Sequence, residues 1–107
     1  MKPEIMENWD KALLSLKEAD AHLLNNEPES AIKKSWDAVG FGAMAIREIE
    51  KPACGMAAEF LFDDFSKKNR KMAARDVVDE ARKTLKNIWN LVPKEYNFPE
   101  VPDRNLR

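Results

Sequence analysis

Residues 28–50 read PESAIKKSWDAVGFGAMAIREIE. Apolar side chains at Ile32, Trp36, Val39, Ala43 and Ile46 recur at three- and four-residue steps, with Ala31, Ser35 and Ile49 beside them. That period describes a helix with one buried face. Pro28 suits a first helical turn, where its missing N–H is no loss, and Asn26 is expected to cap. Lys51-Pro52 closes the helix, because a proline ring removes a donor and clashes with the preceding turn.

The same period extends in both directions. A first helix over about 3–24 carries the stripe Ile5, Trp9, Leu13, Leu16, Ala19 and Leu23. Glu4, Glu7 and Asp10 enrich its first turns, where the helix dipole favours negative charge. A third helix over about 53–67 is expected to turn Met56, Phe60, Leu61 and Phe65 inward, leaving Phe62 for an interface. A fourth over about 72–91 carries Ala74, Val77, Ala81, Leu85, Ile88 and Val92, flanked by Val78 and Trp89. Pro93 stops it. Residues 93–107 hold prolines at 93, 99 and 102 and read as an extended tail that packs Tyr96, Phe98 and Val101 on the bundle. Strand-like alternation is absent. Four amphipathic helices with short connections predict an all-α, antiparallel up-down four-helix bundle over residues 1–92.

Composition narrows the chemistry. With 107 residues the chain makes one domain, and 44% hydrophobic against 35% charged residues gives one core under a heavily charged surface. No uncharged run approaches the ~20 apolar residues of a spanning helix. Met1-Lys2-Pro3-Glu4 lacks the apolar stretch of a signal peptide, so a cytosolic location is expected. One cysteine, Cys54, excludes an internal disulfide framework and a Cys-based zinc site. One histidine, His22, excludes a di-iron bundle built on two Glu-x-x-His motifs. Three glycines supply no phosphate-cradling loop. No cofactor is expected, and no catalytic or metal-binding residue is expected.

Charge is unevenly placed. The net charge is −1, yet residues 1–66 hold 7 basic and 13 acidic residues, and residues 67–107 hold 11 and 6. Lys67, Lys68, Arg70 and Lys71, with Arg75 one turn on, form the densest basic run, which Arg82, Lys83 and Lys86 extend. Such a run either solvates a loop or neutralises phosphates. No aromatic residue interleaves with it, which disfavours base stacking. Opposite charge on the two halves also favours pairing of two copies.

Gly40 and Gly42 lie inside a helix, where each costs about 1 kcal/mol relative to alanine. With Ala38, Ala43 and Ala45 they make a small-residue surface, read as close approach of a neighbouring helix or partner. Gly40, Phe41, Gly42 and Phe62 are therefore the interface candidates. Trp9, Trp36 and Trp89 are expected to anchor the core. His22 has Glu18 four residues earlier as an expected partner. Glu59, Asp63 and Asp64 form an acidic edge that reads first as a solvated face, then as a cation or basic-partner contact. Cys54, near a helix start, reads first as a small buried residue.

Residues 29–43, ESAIKKSWDAVGFGA, resemble the second helix of the HEPN family, the higher eukaryotes and prokaryotes nucleotide-binding domain. Ala31-Ile32 matches that family's Ala-aliphatic pair, Trp36 its first aromatic and Ala38 its alanine, whereas Asp37 replaces the second aromatic. Leu13–Leu24 is similar to the family's first helix, residues 54–60 to its His-Gly-aliphatic segment with Cys54 in place of histidine, and residues 85–98 to its last helix and terminal tyrosine. The ribonuclease members' Arg followed four to six residues on by His is absent. The resemblance thus implies a non-catalytic binding domain that pairs with itself, or with a minimal nucleotidyltransferase as in toxin–antitoxin modules, or binds nucleotide or RNA. Phosphate contact is expected at Lys67, Lys68, Arg70, Lys71 and Arg75. The alternatives are a protein-interaction bundle with no nucleic-acid role and an atypical ribonuclease.

Overall fold

A computed structural model describes residues 3–104 of the protein. Its helices are α1 (Pro3–Leu24), α2 (Pro28–Arg47), α3 (Pro52–Lys68) and α4 (Ala74–Trp89), with short 3-10 turns at Asn69–Lys71 and Lys94–Tyr96. No strand occurs among the described residues.

The contacts fix the directions. Glu18 meets Lys34 at one end of α1 and α2, and Trp9 lies by Gly42 at the other, so the two run antiparallel. Arg47 meets Glu59, and Trp36 packs on Phe65, which makes α2 and α3 antiparallel. Cys54 meets Leu91 and Lys68 meets Glu80, which turns α4 back again. The result is an up-down-up-down bundle. It is flattened, with extents of 40 × 27 × 18 Å. α2 packs on all three other helices, including the parallel α4 across the diagonal. Trp9, Leu16, Ile46, Phe65, Leu85 and Ile88 are its largest buried side chains.

The α1–α2 connection corrects the expected cap. Asn26 has φ 55 and ends α1 instead of starting α2. Glu27 N–H donates to His22 O (2.8 Å) and Asn26 N–H to Leu23 O (3.2 Å). This is the Schellman arrangement, in which a left-handed residue, here asparagine, satisfies the last free carbonyls. Glu27 then stands at the N-cap of α2 without a side-chain cap. Its carboxylate meets His22 Nδ1 at 3.1 Å, so His22 pairs with Glu27, while Glu18 is taken by Lys34.

α2 stops at Arg47, a turn short of residue 50. A continued helix would drive the Pro52 ring into the carbonyl of Glu48, and Lys51 is instead extended at φ −141. α4 begins at Ala74 instead of residue 72, because Met72 and Ala73 are extended after the 3-10 turn.

α3 is rotated from the expected face. Ala58 and Phe65 are buried and Leu61 and Phe62 pack against the core, whereas Met56 and Phe60 are 72% and 71% exposed. The stripe Ala58, Leu61, Phe62, Phe65 has the same helical spacing as the expected one. A small alanine lets α3 approach α2, which selects it.

After α4 the chain turns back. Phe98 and Val101 are buried, and Tyr96 packs edge-on against Phe98. The segment lies in the seam between α1 and α4.

Candidate functional site

Two surfaces merit the name of candidate site. The first is the basic junction between α3 and α4. Lys67 and Lys68 end α3, Arg70 and Lys71 lie in the 3-10 turn, and Arg75 is in the first turn of α4. All five are exposed. Lys68 is not free: its ammonium lies 3.0 Å from Asp64 and 3.5 Å from Glu80. The hydrogen bond and charge of Asp64, then the charge of Glu80, raise its pKa above the ordinary lysine value. Lys67, Arg70, Lys71 and Arg75 make no ion pair among the described residues. Ala73 at the N-cap of α4 supplies no side-chain acceptor. A cap of Ser, Asp or Asn would satisfy one of the first N–H groups.

The basic surface does not extend along α4 as its sequence suggests. Arg82 is buried, its guanidinium bonded to Asp20 at 2.5 and 3.2 Å and to the carbonyl of Pro102 at 2.9 Å. Lys86 is paired with Asp103. Both cations hold the tail. Lys83 remains exposed.

The second surface is the outer face of α2 and α3. A groove of about 350 Å³ is lined by Gly40, Ala43, Met44, Arg47, Glu59, Phe62 and Asp63. Arg47 bridges to Glu59 at 3.2 Å, while Asp63 has no cation partner among the described residues. Met44 is half exposed. Beside the groove, Met56 and Phe60 form an i,i+4 apolar ridge on α3.

The interface candidates divide between faces. Gly40 and Phe62 meet in this groove, where a Cβ on Gly40 would stand 3.9 Å from Phe62. Gly42 faces inward, and a Cβ there would lie 2.5 Å from Leu85 Cδ2. Phe41 turns toward α1, where the Lys11 ammonium sits 5.7 Å from its ring centroid. Sequence reading missed Met44, Met56, Phe60 and Arg47. The available signal was α3 itself, whose apolar residues exceed one helical face.

The acidic edge is largely neutralised, Glu59 by Arg47 and Asp64 by Lys68. Among the described residues no three His, Cys, Asp or Glu side chains gather as metal ligands. Cys54 Sγ donates to Leu91 O at 3.5 Å, tying α3 to the end of α4. No helix among the described residues is long and apolar enough to cross a membrane. Compared with protein-family models, curated proteins and solved structures, the chain matches none.

Proposed function

We propose that the protein is a non-catalytic helical binding domain that works by protein association through the outer face of α2 and α3. The carrying observation is the exposure of Met56 and Phe60, above 70% each, beside a groove floored by Gly40 and Ala43. Adjoining exposed apolar groups of this size mark interaction surfaces. A small-residue floor flanked by larger side chains fits the ridge of a helix. The first occupant is a second copy of the chain. The HEPN resemblance adds a minimal nucleotidyltransferase, in a toxin–antitoxin-type pair, as the heterologous one.

Sedimentation equilibrium tests the reading. Two-chain mass is expected at tens of micromolar, reverting to one chain in Phe60→Glu and Met56→Glu. Both substitutions are on the surface and are expected to leave the helical circular dichroism unchanged. Two-chain mass that survives both substitutions, or one-chain mass throughout, overturns association of copies through this face.

A second reading is favoured by four cations, Lys67, Arg70, Lys71 and Arg75, that make no ion pair among the described residues and lie at a helix start without a side-chain cap. They supply the charge a phosphate ligand, such as a nucleotide or RNA, requires. About four contacts to single-stranded RNA weaken binding about fiftyfold between 50 and 200 mM salt. A fluorescence-anisotropy titration with a short RNA reads this directly. Absence of binding at the lower salt removes the second reading and leaves the first intact.

A further inference from the structure

The seam between α1 and α4 is a groove that the chain's own residues 98–104 fill. Side chains of both helices take main-chain carbonyls of this segment. Trp89 Nε1 donates to Phe98 O at 3.0 Å, Trp9 Nε1 to Pro99 O at 2.8 Å, and Arg82 Nε to Pro102 O at 2.9 Å. Phe98 and Val101 enter sockets and are 5% and 8% exposed, with the Phe98 ring centroid 5.2 Å from that of Trp9. Ion pairs of Asp103 with Lys86, and of Arg104 with Asp79, hold the far end. Pro99 and Pro102 bring no N–H that needs an acceptor and favour extended backbone. Main-chain bonds for affinity and alternate side-chain sockets for specificity are the chemistry of extended-peptide recognition.

The link from α4 to this segment turns at one left-handed residue. Asn97, immediately before the first seated residue, is left-handed at φ 53 and ψ 45. A side chain disfavours that conformation, although asparagine tolerates it best. An open cavity of about 390 Å³ lies beside this turn, lined by Trp89, Val92, Pro93, Lys94, Asn97 and Phe98. Extending the turn returns Asn97 to negative φ and carries the segment away from its own groove.

We infer that the α1–α4 groove accepts residues 98–104 of a second copy by reciprocal exchange. Every carbonyl bond, socket and ion pair of the seated segment is reproduced between chains, and two exchanged tails close the pair with twofold symmetry. Exchange and the closed chain differ at the hinge and in the entropy of association. A short link gives the chain's own tail an effective concentration in the millimolar range. Asn97 therefore sets the balance. This surface is separate from the α2–α3 face, whose contact the test removes.

The test compares Asn97→Pro with Asn97→Gly, both in a Phe60→Glu background that removes the α2–α3 contact. Proline fixes φ near −65° and cannot adopt the closed hinge, whereas glycine adopts it freely. At tens of micromolar, Asn97→Pro is expected to sediment at two-chain mass with the near-ultraviolet tryptophan dichroism of the parent. Asn97→Gly is expected at one-chain mass with the same dichroism. One-chain Asn97→Pro overturns exchange, whether its tryptophan signal is native (the tail still seated in its own groove) or lost (the tail released and not taken up). Two-chain Asn97→Pro with a lost tryptophan signal overturns it as well, since the association then bypasses the groove. Equal mass for the two variants denies Asn97 the hinge role and overturns it too.

Discussion

Gly42 on α2 faces Leu85 on α4 so closely that a Cβ would stand 2.5 Å from Leu85 Cδ2. This contact sets the bundle's shape. It lets two parallel helices meet across the diagonal, which flattens the domain and opens the α1–α4 seam to the tail. The helix-propensity cost of a central glycine, about 1 kcal/mol, is offset by burial of Leu85 and Ile88 against α2. Overpacking a core costs roughly 1–3 kcal/mol. Gly42→Ala is thus expected to destabilise by up to about 2 kcal/mol, and Gly42→Val by more. Gly40→Ala meets only ordinary contact with Phe62 at 3.9 Å and is expected to stabilise by about 0.5–1 kcal/mol. Urea denaturation of the pair checks the opposite signs.

Asp20 and Arg82 link α1 to α4 beneath the tail, with the Arg82 side chain only 9% exposed. Removing one partner of such a pair leaves a charge with little water to replace it. Asp20→Ala is expected to cost roughly 2–4 kcal/mol, less than a fully buried pair because the Asp20 carboxylate is a fifth exposed. Replacing both, as Asp20→Leu with Arg82→Met, is expected to cost less than Asp20→Ala alone. Thermal unfolding of the single and double variants measures the difference. Equal losses would mean that an unpaired Arg82 costs the fold no more than its removal.

The bundle was legible in the spacing of Ile5, Trp9, Leu16, Val39, Ile46, Leu85 and Ile88, because a 3.6-residue period has one interpretation. The face of α3 was not. Met56 and Phe60 share the periodicity of Ala58 and Phe65, and only the approach of α2 decides between them. The basic junction was legible as composition, but its composition overstated it. Lys68, Arg82 and Lys86 are spoken for by carboxylates 4 to 62 residues away in sequence. The Asp64–Lys68 step, i,i+4 on one helix, is readable locally, but the pairings with Glu80, Asp20 and Asp103 leave no local signature. The tail's apolar residues foretold that it packs, but not that Trp9 and Trp89 bind its carbonyls.

The partnering of Lys68 has a consequence for phosphate binding. A lysine shared between Asp64 and Glu80 offers little net charge to a ligand. Arg70→Ala and Lys71→Ala are each expected to lower the magnitude of the log–log salt slope for RNA by somewhat under one. Lys68→Ala is expected to leave it nearly unchanged, or to weaken binding slightly by releasing the two carboxylates. Anisotropy titrations at three salt concentrations separate these outcomes. An equal loss from all three variants would mean that RNA displaces the Asp64 contact.

The tail's ionic clamp responds to acid in a defined direction. The hydrogen bond and charge of Lys86, with a smaller contribution from Arg82, hold the Asp103 carboxyl below its ordinary value of 3.8. A depressed carboxyl stabilises the fold above its unfolded value, and that contribution is lost as pH falls through the lower folded value. Asp103 therefore contributes no pH dependence between neutrality and about pH 5, and weakens the tail only below the ordinary aspartate range. The raised Lys68 has the opposite sense. Its contribution is complete below the ordinary lysine value of 10.5 and is lost only in stronger alkali. Asp103→Asn is expected to flatten the acid limb of a tryptophan-fluorescence titration, since Trp9 and Trp89 both donate to the tail. Asp103 is fully exposed, so its effect at pH 7 is expected to be small. An acid limb unchanged in Asp103→Asn would mean that the Lys86–Asp103 pair does not hold the tail.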